Sequence, residues 1–79
     1  MPLRRGENQP VDLLITGGYA IPLSHVGYVK CYKNKGTDKA NPLTVEIWGK
    51  TGYTFIVSRS GTAVKVNELL HDLGLWWED

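Results

Sequence analysis

Two stretches of strict alternation, Leu43 to Trp48 and Tyr53 to Ser58, constrain this chain more than any other feature. Successive side chains of a strand point to opposite faces, so the first stretch sets Leu43, Val45 and Ile47 against Thr44, Glu46 and Trp48. The second sets Tyr53, Phe55 and Val57 against Thr54, Ile56 and Ser58. The Gly49-Lys50-Thr51-Gly52 segment between them is turn by composition. The pattern predicts an antiparallel hairpin with one apolar face, and that face needs a cover.

A cover follows directly. Val66, Leu69, Leu70 and Leu73 recur at i, i+3, i+4 and i+7, the spacing of one helical face. Ser60-Gly61-Thr62 supplies capping chemistry at one end and Gly74 a carboxyl-side cap at the other. A shorter helix capped by Asn67, with Ala63 to Val66 as strand, is the alternative; the longer helix is preferred. Its leucines are expected to lie over Val45, Ile47, Phe55 and Val57, with the tail Leu75-Trp76-Trp77 closing over one end.

Upstream the signals are weaker. Val11 to Thr16 is an apolar run that ends at Gly17-Gly18, a dipeptide suited to the positive φ angles of a two-residue hairpin turn. Tyr19 to Leu23 returns, and Pro22, which cannot donate to a ladder, places it at an edge or breaks it there. Ser24 to Tyr32 continues, with Gly27 marking a bulge or a close backbone approach. Regular extension over Val26 to Tyr32 puts Gly27, Val29 and Cys31 on a buried face and Tyr28, Lys30 and Tyr32 on the other. Lys33 to Pro42 is a polar loop.

The expected class is α+β: a small antiparallel sheet of four to five strands with one C-terminal helix packed on it. Residues 1–10 mix Arg, Glu, Asn and two prolines without periodicity and read as a flexible N-terminal arm; residues 11–79 read as one domain. At 79 residues there is room for one core. Its net stability is expected near roughly 3 to 5 kcal/mol, which makes a homodimer a natural supplement. Apolar content of 42% and charged content of 22% are those of a folding chain.

A single cysteine, Cys31, permits neither an internal disulfide nor a cysteine metal cage, and favours a reducing compartment. The start Met1-Pro2-Leu3-Arg4-Arg5-Gly6 has the basic beginning of a signal peptide without the apolar stretch that follows one. With no long apolar run, no membrane span is expected, and the expected location is cytoplasmic. Net charge is +1, so nothing steers the whole molecule toward nucleic acid or membrane. Lys30, Lys33, Lys35 and Lys39 against Asp38 leave the middle basic, whereas Glu68, Asp72, Glu78 and Asp79 leave the end acidic.

Catalytic side chains are scarce, and no enzyme activity, cofactor or metal site is expected. Ser24 and His25 are adjacent, which on a strand sends them to opposite faces. His25 and Cys31 share a face of a regular strand but sit about 20 Å apart at ~3.3 Å per residue, beyond hydrogen-bond reach. Cys31 reads as a small core residue. Glu68 and His71 at i, i+3 lack further ligands, and Gly17-Gly18 lacks the Gly-Lys-Ser/Thr ending of a phosphate loop.

Two surfaces remain. Leu75, Trp76 and Trp77 beside the chain end either lap onto the core or form an interface, and one tryptophan is able to do each. They support the leading expectation, a non-enzymatic protein-binding module, an inhibitor or adaptor. Small size alone adds a prior for an accessory product of a phage or other mobile element acting on a host complex. Tyr28, Lys30, Tyr32, Lys33, Lys35 and Trp48 interleave rings and cations as a single-stranded nucleic-acid binder does, the alternative expectation. The third is a structural subunit of a larger assembly, since any small sheet leaves pairing edges.

Overall fold

The computed structural model describes every residue except Met1, Thr37, Asp38, Tyr53 and Asp79. Along the described chain run β1 (Leu3–Arg5), β2 (Leu13–Thr16), β3 (Tyr19–Pro22), a 3-10 turn at Leu23–His25, β4 (Val26–Lys33), β5 (Leu43–Gly49), β6 (Phe55–Gly61), α1 (Ala63–Asp72) and β7 (Leu75–Trp77). The class is α+β with antiparallel pairing, as expected. The single sheet of four to five strands is corrected to three small ones: β4-β5-β6, β2-β3 and β1-β7. The physical reason is local. Pro22 ends β3 and the 3-10 turn redirects the chain before β4 begins, so the first hairpin stands apart from the second.

The central sheet carries the core. Leu43, Val45, Ile47 and Val57 are buried beneath Val66 and Leu70 of α1 and Leu73 at its C-cap, and Leu14 and Ile21 of the first hairpin join them. α1 takes the longer form: Thr62 is its N-cap, with its hydroxyl accepting from the Lys65 N–H at 3.4 Å, and Gly74 follows the last turn with φ 73°. Gly17 and Gly18 have φ of 57° and 81°, the pair of positive angles a type I′ turn demands.

Two bulges set which side chains face the core. On β4, Val26 pairs with Gly49 and Tyr28 with Trp48, so Gly27 is the extra residue and Val26, not Gly27, shares the inner face with Val29 and Cys31. A Cβ on Gly27 would stand 2.5 Å from the Gly49 carbonyl oxygen, so this site is both a bulge and a close approach. On β6, Val57 pairs with Ile47 but Phe55 with Trp48, which makes Ile56 the extra residue. The expected inward position of Phe55 is thereby overturned: it turns to the outer face beside Trp48 and is 48% exposed, while Ile56 becomes half-buried against the core. Tyr53, assigned to the same inward set, lies outside the described residues.

Part of the first ten residues is paired. Leu3, Arg4 and Arg5 stand opposite Trp77, Trp76 and Leu75, and Leu3 packs on the core. The segment then wraps the C-terminal end of α1, where the last carbonyls of a helix lack partners of their own. The Asn8 side chain donates to the His71 carbonyl, the Val11 N–H to that of Asp72 and the Gly6 N–H to that of Gly74.

Trp77 is 6% exposed and held by Asn67, a buried amide on α1. The Trp77 N–H donates to Asn67 Oδ1 at 2.8 Å, and Asn67 Nδ2 donates to the Trp77 carbonyl at 3.1 Å. Replacing Asn67 with Ala strands two buried backbone groups at about 1–3 kcal/mol each, so Asn67→Ala is expected to cost about 2–6 kcal/mol in a urea titration. Gly27→Ala, which forces backbone against backbone, is expected to cost about 1–3 kcal/mol in the same measurement.

Candidate functional site

The outer face of the central sheet brings together four of the six residues expected there. Tyr28, Lys30 and Tyr32 of β4 stand opposite Trp48, Glu46 and Thr44 of β5. Tyr28 and Trp48 rings are 5.7 Å apart and nearly parallel at 6°, and Phe55 meets Trp48 edge-on at 5.3 Å and 76°. The Lys30 ammonium sits 5.8 Å from the Trp48 ring centroid. Lys33 is one step out of phase with Lys30, opposite Leu43, and Lys35 lies beyond the strand in the loop. Neither belongs to the aromatic cluster.

Glu46 sits at the middle of this face and uses both carboxylate oxygens. Tyr32 Oη donates to one at 2.8 Å and Trp48 Nε1 to the other at 3.2 Å. The bond to Glu46, with some desolvation, holds the Tyr32 phenol above its ordinary value, since a phenolate would lose the bond and face a carboxylate. At the far end Thr44, buried although on the outer phase, donates to Asn34 Oδ1 at 2.6 Å and shares a 2.9 Å bond with Ser60 Oγ. Much of the polar chemistry of the face is turned inward on itself.

The second surface is the β1-β7 ribbon. Alternation sends Leu75 and Trp77 toward α1 and Trp76 outward, where it is 42% exposed opposite Arg4. Of the three expected interface residues, Trp77 is core, Leu75 is half-buried and Trp76 is available. Trp76 forms the wall between two depressions. One, about 490 Å³, is floored by Ala63 and Val64 and edged by Glu68 and His71. The other, about 410 Å³, is mixed, with Arg4, Arg5, Glu7 and Asn8 beside Leu75. Arg4 is paired to Glu78 at 3.1 Å, an exposed contact of little energetic weight.

Sequence reasoning missed Val64, Arg4, Phe55 and Ile15. Val64 carried a signal: it is apolar yet off the stripe of Val66, Leu70 and Leu73, and it is 71% exposed. Ile15 carried one also, because Leu13-Leu14-Ile15 is apolar on both faces of a strand whose hairpin is covered on one. Arg4 and Phe55 carried none, the first resting on a three-residue pairing and the second on a bulge.

The remaining candidates are dispersed. Ser24 and His25 lie in the 3-10 turn rather than on a strand, and both are exposed. His71 Nδ1 is 3.7 Å from Asp72 Oδ1. Among the described residues no group of three His, Cys, Asp or Glu side chains is placed to hold a metal ion, and no helix is long and apolar enough to cross a membrane. The chain matches no protein-family model, and no match was found among curated proteins or solved structures.

Cys31 is half-buried on the inner face of β4, and burial pushes its thiol from 9.0 up to about 11. The thiolate is the nucleophile, so native Cys31 is expected to react with iodoacetamide at pH 8 at least about tenfold more slowly than in urea. An unfolded thiol ionises near 9 and the folded one near 11, so this contribution to stability is present below pH 9 and is lost as pH rises to 11. Comparing urea midpoints of the wild type and Cys31→Ser across that window isolates it.

Proposed function

We propose that the chain is a non-enzymatic protein-binding module, an adaptor or inhibitor, that grips its partner through Trp76 together with Arg4 and Val64. The observation that carries the reading is a tryptophan half in water on a ribbon braced from behind by the buried Asn67 amide. Trp and Arg dominate interface hot spots because each joins a large planar body to a directional donor, and a braced backbone lowers the ordering cost of binding. The apolar dish beside Trp76 offers a partner side chain a desolvated seat, and Arg4, Arg5 and Glu7 around the depression on its other side supply a charged rim.

A second reading has its own observation. Tyr28, Lys30, Tyr32 and Trp48 share one sheet face, as single-stranded nucleic-acid binding requires. Against it, a phosphate backbone laid over those rings meets the Glu46 carboxylate, and Lys30 is the cation seated within the cluster. It predicts salt-sensitive quenching of tryptophan fluorescence by a single-stranded oligonucleotide, lost in Trp48→Ala; no quenching at low salt removes it.

For the leading reading, Trp76→Ala is expected to weaken partner binding by about 30-fold or more, the scale of a hot spot near 2 kcal/mol, with a stability change within about 1 kcal/mol. Trp77→Ala is expected to act on stability instead, by about 3–5 kcal/mol. Titration calorimetry on a captured partner and thermal melts of each variant separate the two. Unchanged partner affinity in the double variant Trp76→Ala, Val64→Ser would sink the assignment.

A further inference from the structure

β2 and β6 are both edge strands, and they face a common groove. The Leu23 N–H donates to the Asp12 carbonyl, which makes Asp12, Leu14 and Thr16 the hydrogen-bonded positions of the first hairpin. Leu13 and Ile15 therefore turn their N–H and C=O groups to the free edge, and Ile15 is 73% exposed. That edge opens on a groove of about 550 Å³ lined by Ser58, Arg59 and Ser60 of β6 and by Val66 and Leu69 of α1. The Arg59 side chain bridges the interval: a Cβ on Gly17 would lie 3.2 Å from its Nη1. β2 and β6 are not paired and belong to separate sheets with this groove between them, where one inserted strand would need a spacing of ~9.6 Å.

We infer that this groove takes one extended peptide segment of a partner protein as an added strand between β2 and β6, joining the separate sheets into a single six-stranded one. Main-chain pairing to Leu13 and Ile15 supplies affinity, and alternate side chains supply specificity. Arg59 and Lys65 stand at the Gly17 and Gly61 end, whereas Glu68 and Asp72 lie along α1 toward its C-terminus, where Asp72 meets Val11. Among the described residues Arg59, Lys65 and Glu68 make no ion pair. The complementary segment carries an acid at the first end, a base at the second and an apolar side chain over Val66 and Leu69. A second copy fits less well, because its β2 brings β3 beside it. The inference shares with the proposed function the premise of a protein partner, and it does not depend on Trp76.

The test pans a phage-displayed library of random heptapeptides against the immobilised full chain. Enriched peptides are expected to alternate, with an acid at one end and a base at the other. Their affinity should fall at least tenfold on Arg59→Glu, recover when the peptide acid is exchanged for Lys, and stay unchanged on Trp76→Ala. In the wild type the bound peptide should slow amide exchange at Leu13 and Ile15 at least tenfold. Three results overturn the inference. One is no enrichment over bare matrix. Another is enrichment of peptides that depend on Trp76, ignore Arg59 and leave Leu13 and Ile15 exchange unchanged, which supports the Trp76 surface alone. The last is a species of twice 8.8 kDa with those two amides protected before any peptide is added.

Discussion

The two hydrogen bonds between the Asn67 side chain and the backbone of Trp77 are the interaction on which the arrangement of both chain ends depends. A primary amide carries a donor and an acceptor side by side, so Asn67 does for Trp77 what a neighbouring strand would do, from within a helix. That anchors β7 against α1. β7 then offers its other edge to Leu3–Arg5, and the chain running on from β1 reaches the last carbonyls of the same helix. Each step presupposes the one before. A buried polar pair of this kind is favourable when complete and costly when half made, which gives the ribbon one register instead of several.

The register has a functional corollary, because alternation over three residues decides the fates of two adjacent tryptophans. With Trp77 committed to the core by its backbone clamp, Trp76 has no choice but to face water. The same logic governs the central sheet. The bulge at Ile56 turns Phe55 out to complete the Tyr28-Trp48 cluster and seats Ile56 partly inward, so one inserted residue feeds both faces. The bulge at Gly27 brings β4 so near the Gly49 carbonyl that no side chain fits, and it returns Val26 to the core.

What was legible in the sequence was whatever repeats within a window of about ten residues. Leu43 to Trp48, the stripe Val66, Leu69, Leu70 and Leu73, the Thr62 and Gly74 caps and the Gly17-Gly18 turn all express local periods or local backbone demands. The pairing of Leu3–Arg5 with Leu75–Trp77 does not, since three residues show no period and their partners lie at the opposite end of the chain. Phe55 was misplaced for a related reason: alternation presumes an unbroken ladder, and a bulge inverts everything beyond it. Of the candidate surfaces, Tyr28, Lys30, Tyr32 and Trp48 were found because they alternate. The division of labour between Trp76 and Trp77 was invisible because it is set by Asn67, ten residues upstream of Trp77 and on another element.

The sheet gap between β2 and β6 shows how such a small chain guards an exposed edge against indiscriminate pairing. A strand that is apolar on both faces, like Leu13–Thr16, is an aggregation hazard when its edge is flat and open. Here the edge opens on a groove walled by β6 and α1, and Arg59, which by register leaves β6 on the core side opposite Val45, crosses toward Gly17. An inward-pointing charge on an edge strand is a recognised deterrent to indiscriminate pairing, because an apolar intruder must bury it unpaired. An intruder bearing a carboxylate at that point removes the penalty. The residue that keeps the edge from pairing with anything extended is thus the one that lets it choose, and protection and selectivity at this groove follow from a single guanidinium.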